Sequence, residues 1–305
     1  MRNIETKLKF RKHSWNNYNN GQFDYCSTHI SYSFEEKKKE LEMTIIIDTN
    51  DHEEICPIFI EIVDFLYLAC GTMPNIIYYK EDNVEKDLSI LPCRYFPSKQ
   101  FYSNEHLIDI NDSTLNKITL ESIKNTIRSK PFEIFWAFTA LTSKGYEKIY
   151  AEHKITLLLQ CFEGYIYNKD IKYQLRSVKF KDRIIEIVNI LFEYEKKYNT
   201  DILKTLTLTE DNYLNTLADT RHQYSHYISK NSSLDEGKEY IINFILLHYV
   251  FRIYLLKEIN IEPKEKNVEE FFKSIYDWIN TLKDGNFQKY KSVSYSMRLI
   301  FKHFN

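Results

Sequence analysis

Glycine and proline are scarce, with six of each in 305 residues. That argues against a turn-rich all-β fold and against long flexible linkers, both of which draw heavily on these residues. Cysteine is also sparse. Cys26, Cys56, Cys70, Cys93 and Cys161 are odd in number and contain no C-x-x-C pair. Neither a disulfide framework nor a cysteine zinc site is expected, and a reducing cytoplasm is the expected location. A surplus of either charge is missing too: 41 basic side chains face 43 acidic ones, a formal net charge of -2. The global positive charge of many nucleic-acid binders is therefore absent, and any RNA contact must rest on local patches. Long apolar runs are lacking as well. The stretch from Pro57 to Ala69 holds Glu61 and Asp64, and that from Ile241 to Leu256 holds His248 and Arg252. Both fall short of the ~20 apolar residues that span a bilayer. They read as buried helices, and no membrane partner is expected. Met1 to Lys12 is polar and basic without an apolar core, unlike a secretory leader.

What is abundant is aromatic: 24 Tyr and 20 Phe, enough to fill a substantial core, with each buried tyrosine needing a polar partner. Hydrophobic periodicity divides the chain. Up to about residue 118, period-2 segments at Gln22–Ser27 and His29–Phe34 and a β-branched run at Met43–Ile47 predict strands. A helix is predicted from about Glu54 to Ala69, ended by Gly71, and another strand at Ile76–Tyr79. Short strands are predicted near Tyr95 and Leu107. From Thr119 onward the spacing is helical. Helices are predicted over about 119–127, 132–141 (opened by Pro131), 146–167, 178–198 and 211–224. Ser233 with Glu236 reads as a capping box for a helix to about Leu256, and Asn267 with Glu270 as a cap for one to about Leu282. A last helix is predicted over 290–304. The expected chain is mainly α: a small α+β module over 1–118 with a sensing or regulatory role, a helical domain over 119–260, and a helical extension over 261–305.

The densest chemistry is Thr220-Arg221-His222-Gln223-Tyr224-Ser225-His226-Tyr227. A fixed cation, two imidazoles and several hydroxyls fall within eight residues, between two helical segments. Arg221 and His226 have the R-x4-H spacing. Five helical steps turn ~140°, so cooperation of this pair needs a distorted helix end or a second copy of the motif. Arg298 and His303 share the spacing, but Leu, Ile and Phe between them mark an amphipathic terminal helix.

This segment resembles the signature of HEPN ribonucleases, and most closely the ApeA-like HEPN group of prokaryotic antiphage defence proteins. The resemblance covers roughly residues 131–260 and includes Glu163, in a long upstream helix like that of an acidic residue in those domains. It implies a HEPN-type helical bundle and a metal-independent endoribonuclease acting on single-stranded RNA or tRNA, with no cofactor. The 2′-OH attacks the phosphodiester, leaving a 2′,3′-cyclic phosphate and a 5′-OH. Arg221 would hold the phosphate and His226 would transfer the proton, since an imidazole titrates near neutrality and a guanidinium fork matches phosphate oxygens. His222, Tyr224 and Glu163 would support them, and Tyr227 would contact RNA. The resemblance also implies a homodimer and a role as effector of antiviral defence or of a toxin–antitoxin system, with an antitoxin or a phage trigger as partner. Other readings stay open. His222 and His226, at i and i+4, could hold a metal. Arg221 could serve a structural ion pair with Glu163. Tyr224 and Tyr227 could be core or interface residues. His248 reads as a satisfied core histidine, and Lys37-Lys38-Lys39 as a solvated surface or an RNA contact. The chain as a whole could be a non-catalytic HEPN-type nucleotide-binding, partner-binding or dimerisation module.

Overall fold

The structure, a computed structural model, describes residues 2–11, 16–37, 40–88, 106–143, 146, 149–206, 208–226 and 237–284. The predicted strand near Tyr95, the Ser233–Glu236 capping box, Lys38 and Lys39, Arg298 and His303, and the helix over 290–304 lie outside them. Among the described residues, six strands precede a series of helices. The strands are β1 (Arg2–Arg11), β2 (Gly21–Tyr25), β3 (Thr28–Lys37), β4 (Glu40–Thr49), β5 (Asn75–Glu81) and β6 (Val84–Glu85), with α1 (His52–Cys70) between β4 and β5. They form one antiparallel sheet in the order β2-β3-β4-β1-β5-β6.

The amino-terminal segment is polar and basic in sequence. The structure makes it β1, paired on both sides. Ile4, Thr6, Leu8 and Phe10 are buried and pair with Ile47, Ile45, Met43 and Leu41 of β4. The intervening positions carry Glu5, Lys7 and Lys9, and these face a lattice of cross-strand ion pairs. Lys7 meets Glu42 at 2.6 Å, Lys9 meets Glu40 at 2.7 Å, and Lys37 meets Glu42 at 2.8 Å. Its hydrogen bonds from Lys37 and Lys7 lower the Glu42 carboxyl to about 2. The lysines of this open face are thus matched by acids, Lys37 among them.

Asp51 caps α1 by accepting from the Glu53 amide at 2.9 Å. Gly71 ends it in the left-handed region, φ 80°, with its amide donating to the Tyr67 carbonyl. Only glycine takes that backbone conformation without a steric cost.

The helices that follow are α2 (Lys117–Ser122), which runs on through a π turn (Ile123–Ile127), α3 (Phe132–Ala140), α4 (Ala151–Tyr167), α5 (Phe180–Tyr198), α6 (Ile202–Thr205), α7 (Glu210–His226), α8 (Gly237–Glu258) and α9 (Glu265–Asp284). From Tyr240 to Leu256, α8 is buried around almost its whole circumference, which is the pattern of a core helix. It packs against α4, α5 and α1. Its Tyr240–Glu258 segment has the length and apolarity to cross a membrane, yet 83% of its most apolar window is buried in the protein.

Three polar side chains within α8 are buried, and each reaches a neighbouring helix. Asn243 accepts from the Tyr213 hydroxyl of α7 at 2.6 Å. His248 Nε2 lies 2.6 Å from the Tyr67 hydroxyl of α1, and burial holds its imidazole well below the ordinary range. His248 is therefore the neutral, hydrogen-bonded core histidine expected. Arg252, fully buried, donates from Nε and Nη2 to the Leu68 carbonyl and from Nη2 to the Ala69 carbonyl, at 2.9–3.0 Å. α8 thus ties the sheet module, through α1, to the helix that carries the motif.

Asn267 departs from its expected role as a helix cap. α9 begins two residues earlier, at Glu265, and Asn267 is buried. Its side-chain amide donates to the Asn16 side chain at 2.8 Å and to the His106 carbonyl at 2.7 Å. The short side-chain amide that can cap a helix locally serves here in a long-range tertiary contact.

Candidate functional site

Glu163, Arg183 and Arg221 meet where α4, α5 and α7 pack together. Each helix presents its residue for an ordinary reason. On α4, Ile155, Leu158, Leu159, Phe162 and Ile166 are buried in the core, and Glu163 sits at the edge of that stripe. On α5 the buried face is Ile184, Ile187, Val188 and Leu191, and Arg183 lies beside it. On α7, Tyr213, Leu217 and Thr220 are buried, and Arg221 follows Thr220 at the margin. The buried Thr220 hydroxyl donates to the Thr216 carbonyl at 2.7 Å, satisfying itself within the helix.

The Glu163 carboxylate is shared. Its Oε1 accepts from Arg183 Nη1 at 2.7 Å and its Oε2 from Arg221 Nη2 at 2.8 Å. Side-chain exposure is 18% for Glu163, 15% for Arg183 and 27% for Arg221. Two guanidinium groups against one carboxylate leave the trio with a net positive charge. The Arg221 guanidinium also lies 5.4 Å from the centre of the Phe180 ring, and its Nε has no hydrogen-bond partner among the described residues. Arg183 is held more firmly. Its Nε donates to the Tyr173 carbonyl at 3.0 Å, and its guanidinium lies 5.5 Å from the Tyr167 ring centre. A partly desolvated, net positive pair of guanidiniums is suited to an oxyanion, above all a phosphate.

Of the residues singled out in the sequence, Arg221 and Glu163 are brought into direct contact. His222 is half-buried on α7, one step from Arg221. Tyr224 and His226 belong to α7 by backbone, but their side chains, and all of Tyr227, lie outside the described residues. α7 stays helical through His226, so the distorted helix end considered above does not occur in the backbone up to that residue. Positions 221 and 226 are then ~140° apart around the axis, whereas 222 and 226 are ~40° apart. Among the described residues no group of three His, Cys, Asp or Glu is arranged to hold a metal.

Comparison with known proteins adds one match: residues 133–265 fit the family model described as Apea-like HEPN. The chain carries an Apea-like HEPN domain. No curated protein and no solved structure matches the chain. The HEPN domain runs from α3 to the first residue of α9, so it holds Glu163, Arg183, Arg221 and His226 together.

Arg183 is the residue that reading the sequence missed. It stands in a plain amphipathic helix, with no motif and no unusual neighbour. Only the packing of α5 against α4 and α7 brings it to Glu163.

Proposed function

We propose that this chain is an endoribonuclease whose HEPN domain cleaves RNA without a metal, as an effector of antiviral defence. Attack by the 2′-OH on the adjacent phosphodiester yields a 2′,3′-cyclic phosphate and a 5′-OH. Arg221 binds the phosphate and stabilises its developing charge. His226 moves the proton, and His222, at the same face of α7, orients the substrate or assists. Tyr224 and Tyr227 meet the bases, whose faces stack on aromatic rings. The observation that carries this reading is Arg221 itself: a guanidinium inside a HEPN domain, at R-x4-H spacing, in a net positive trio. Because the helix separates positions 221 and 226, the complete site takes Arg221 and His226 from different copies in a homodimer. The sheet module of residues 1–118 senses a trigger, with α1 and α8 as its link to α7.

The test is cleavage of labelled single-stranded RNA in EDTA by the purified chain, beside Arg221→Ala and His226→Ala. Each substitution is expected to lower the rate by ~100-fold or more, the usual scale for a lost proton-transfer group or charge stabiliser. Products that react as cyclic phosphates identify the chemistry. Variants that cut as fast as the parent would sink the assignment. A second reading, a non-catalytic binding or dimerisation module, is favoured by one observation: the Arg221 guanidinium is already engaged by Glu163. That reading expects RNA or nucleotide binding without product and no toxicity on expression.

A further inference from the structure

We propose that Arg183 is a positioning residue for this site: it keeps the Glu163 carboxylate paired when Arg221 turns from Glu163 to a phosphodiester. The inference rests on the proposed phosphate role of Arg221 and adds a residue that the R-x4-H motif does not contain.

The two arginines are held unequally. Arg183 is anchored on three sides, by Glu163 Oε1, the Tyr173 carbonyl and the Tyr167 ring. Among the described residues Arg221 makes one ion pair, lies against Phe180, and has a buried Nε with no hydrogen-bond partner. It is also the more exposed of the two, at 27% against 15%. When a new anion arrives, Arg221 is the partner that exchanges, and Arg183 stays.

Each arginine takes a different oxygen of Glu163 through a single contact, so one can leave without breaking the other's contact. Release of Arg221 therefore leaves Glu163 still bound to a cation. Without Arg183 the same release would strand a carboxylate that is only 18% exposed, and an uncompensated, partly buried charge is costly. Charge balance fits the exchange. The trio carries one excess positive charge, and one phosphodiester neutralises it. A purely mechanical role, in which Arg183 pins α5 to α4 through Glu163, makes a different prediction, because removing Glu163 as well would then restore nothing.

Binding separates the two. Affinity is measured for a non-cleavable 2′-O-methyl oligoribonucleotide, with circular dichroism and melting as controls for folding. Arg183→Met is expected to weaken binding about tenfold, the cost of a stranded charge of modest burial, and Arg183→Lys, which keeps the cation, to stay within about threefold of the parent. The decisive variant is Arg183→Met combined with Glu163→Gln. With no carboxylate left to strand, it is expected to bind within about threefold of the parent. Arg183→Met binding as well as the parent, or a double variant as weak as Arg183→Met, overturns the proposal. A parent chain that neither binds nor cuts RNA removes the nuclease reading itself, and this inference with it.

Discussion

Replacing Arg252 with methionine tests the joint between the sheet module and the HEPN domain. Methionine preserves most of the side chain's length and apolar packing, so the loss is mainly the guanidinium. In the parent, that group gives three hydrogen bonds of 2.9–3.0 Å to the last carbonyls of α1, at the negative end of the helix dipole. The two acceptors are not equally exposed to its loss. The Ala69 carbonyl also accepts from the Leu107 amide at 2.8 Å and keeps that donor. The Leu68 carbonyl, which takes two of the three bonds, bears the larger loss. A charge-assisted bond has a net value of about 1.5–3 kcal/mol after the desolvation of its charge is counted. With one acceptor strongly affected and one partly, we expect a loss of ~3–4 kcal/mol. At roughly 2 °C per kcal/mol for a chain of this size, the melting midpoint should fall by ~6–8 °C. Lysine at the same place offers a point charge without the fork and should fall between the two. Thermal unfolding followed by circular dichroism measures this, and hydrogen exchange should show the end of α1 loosening first. A methionine variant melting within about 2 °C of the parent would mean that desolvation of the buried cation cancels its bonds.

Two further outcomes follow from buried polar groups in the HEPN domain. Glu195 of α5 is buried and accepts from the Leu203 amide at 2.6 Å, and burial raises its carboxyl to about 7. Its folded value lies above the unfolded one, so the native state holds the extra proton between about pH 4.5 and 7 and stability falls as pH rises through that window. Glu195→Gln should therefore melt like the parent at pH 4.5 and be about 1–2 kcal/mol more stable at pH 8, and a gap that does not change with pH refutes this. The Tyr213 hydroxyl, fully buried, is a donor to Asn243 Oδ1 across the α7–α8 contact. Tyr213→Phe should cost about 1–3 kcal/mol, and Tyr213→Phe with Asn243→Leu should cost less than the sum of the two single changes. Strict additivity in a double-mutant cycle would show that the pair does not act as a unit.

Periodicity made most elements legible before any coordinates. α5, with Ile184, Ile187, Val188 and Leu191 on one face, runs close to its expected bounds, and Gly71 ends α1 as its freedom at positive φ requires. Elsewhere several signals compete in the same residues. The alternation of Ile4, Thr6, Leu8 and Phe10 was masked by lysines and glutamate, whose place is the charged face of a central strand. Asn267 looked like a cap because capping and tertiary hydrogen bonding use the same short amide.

For the site, the division is sharper. The amino-acid order alone determined Arg221, His226 and their five-residue separation, and the resemblance to HEPN domains added Glu163. Those are local facts, written into one helix or into composition. The pairing of Glu163 with both Arg183 and Arg221, and the reach of α8 to α1 through Arg252, were decided only by how the helices pack. Such contacts join residues far apart in the chain, and the charges that meet there carry no periodic signature of their own.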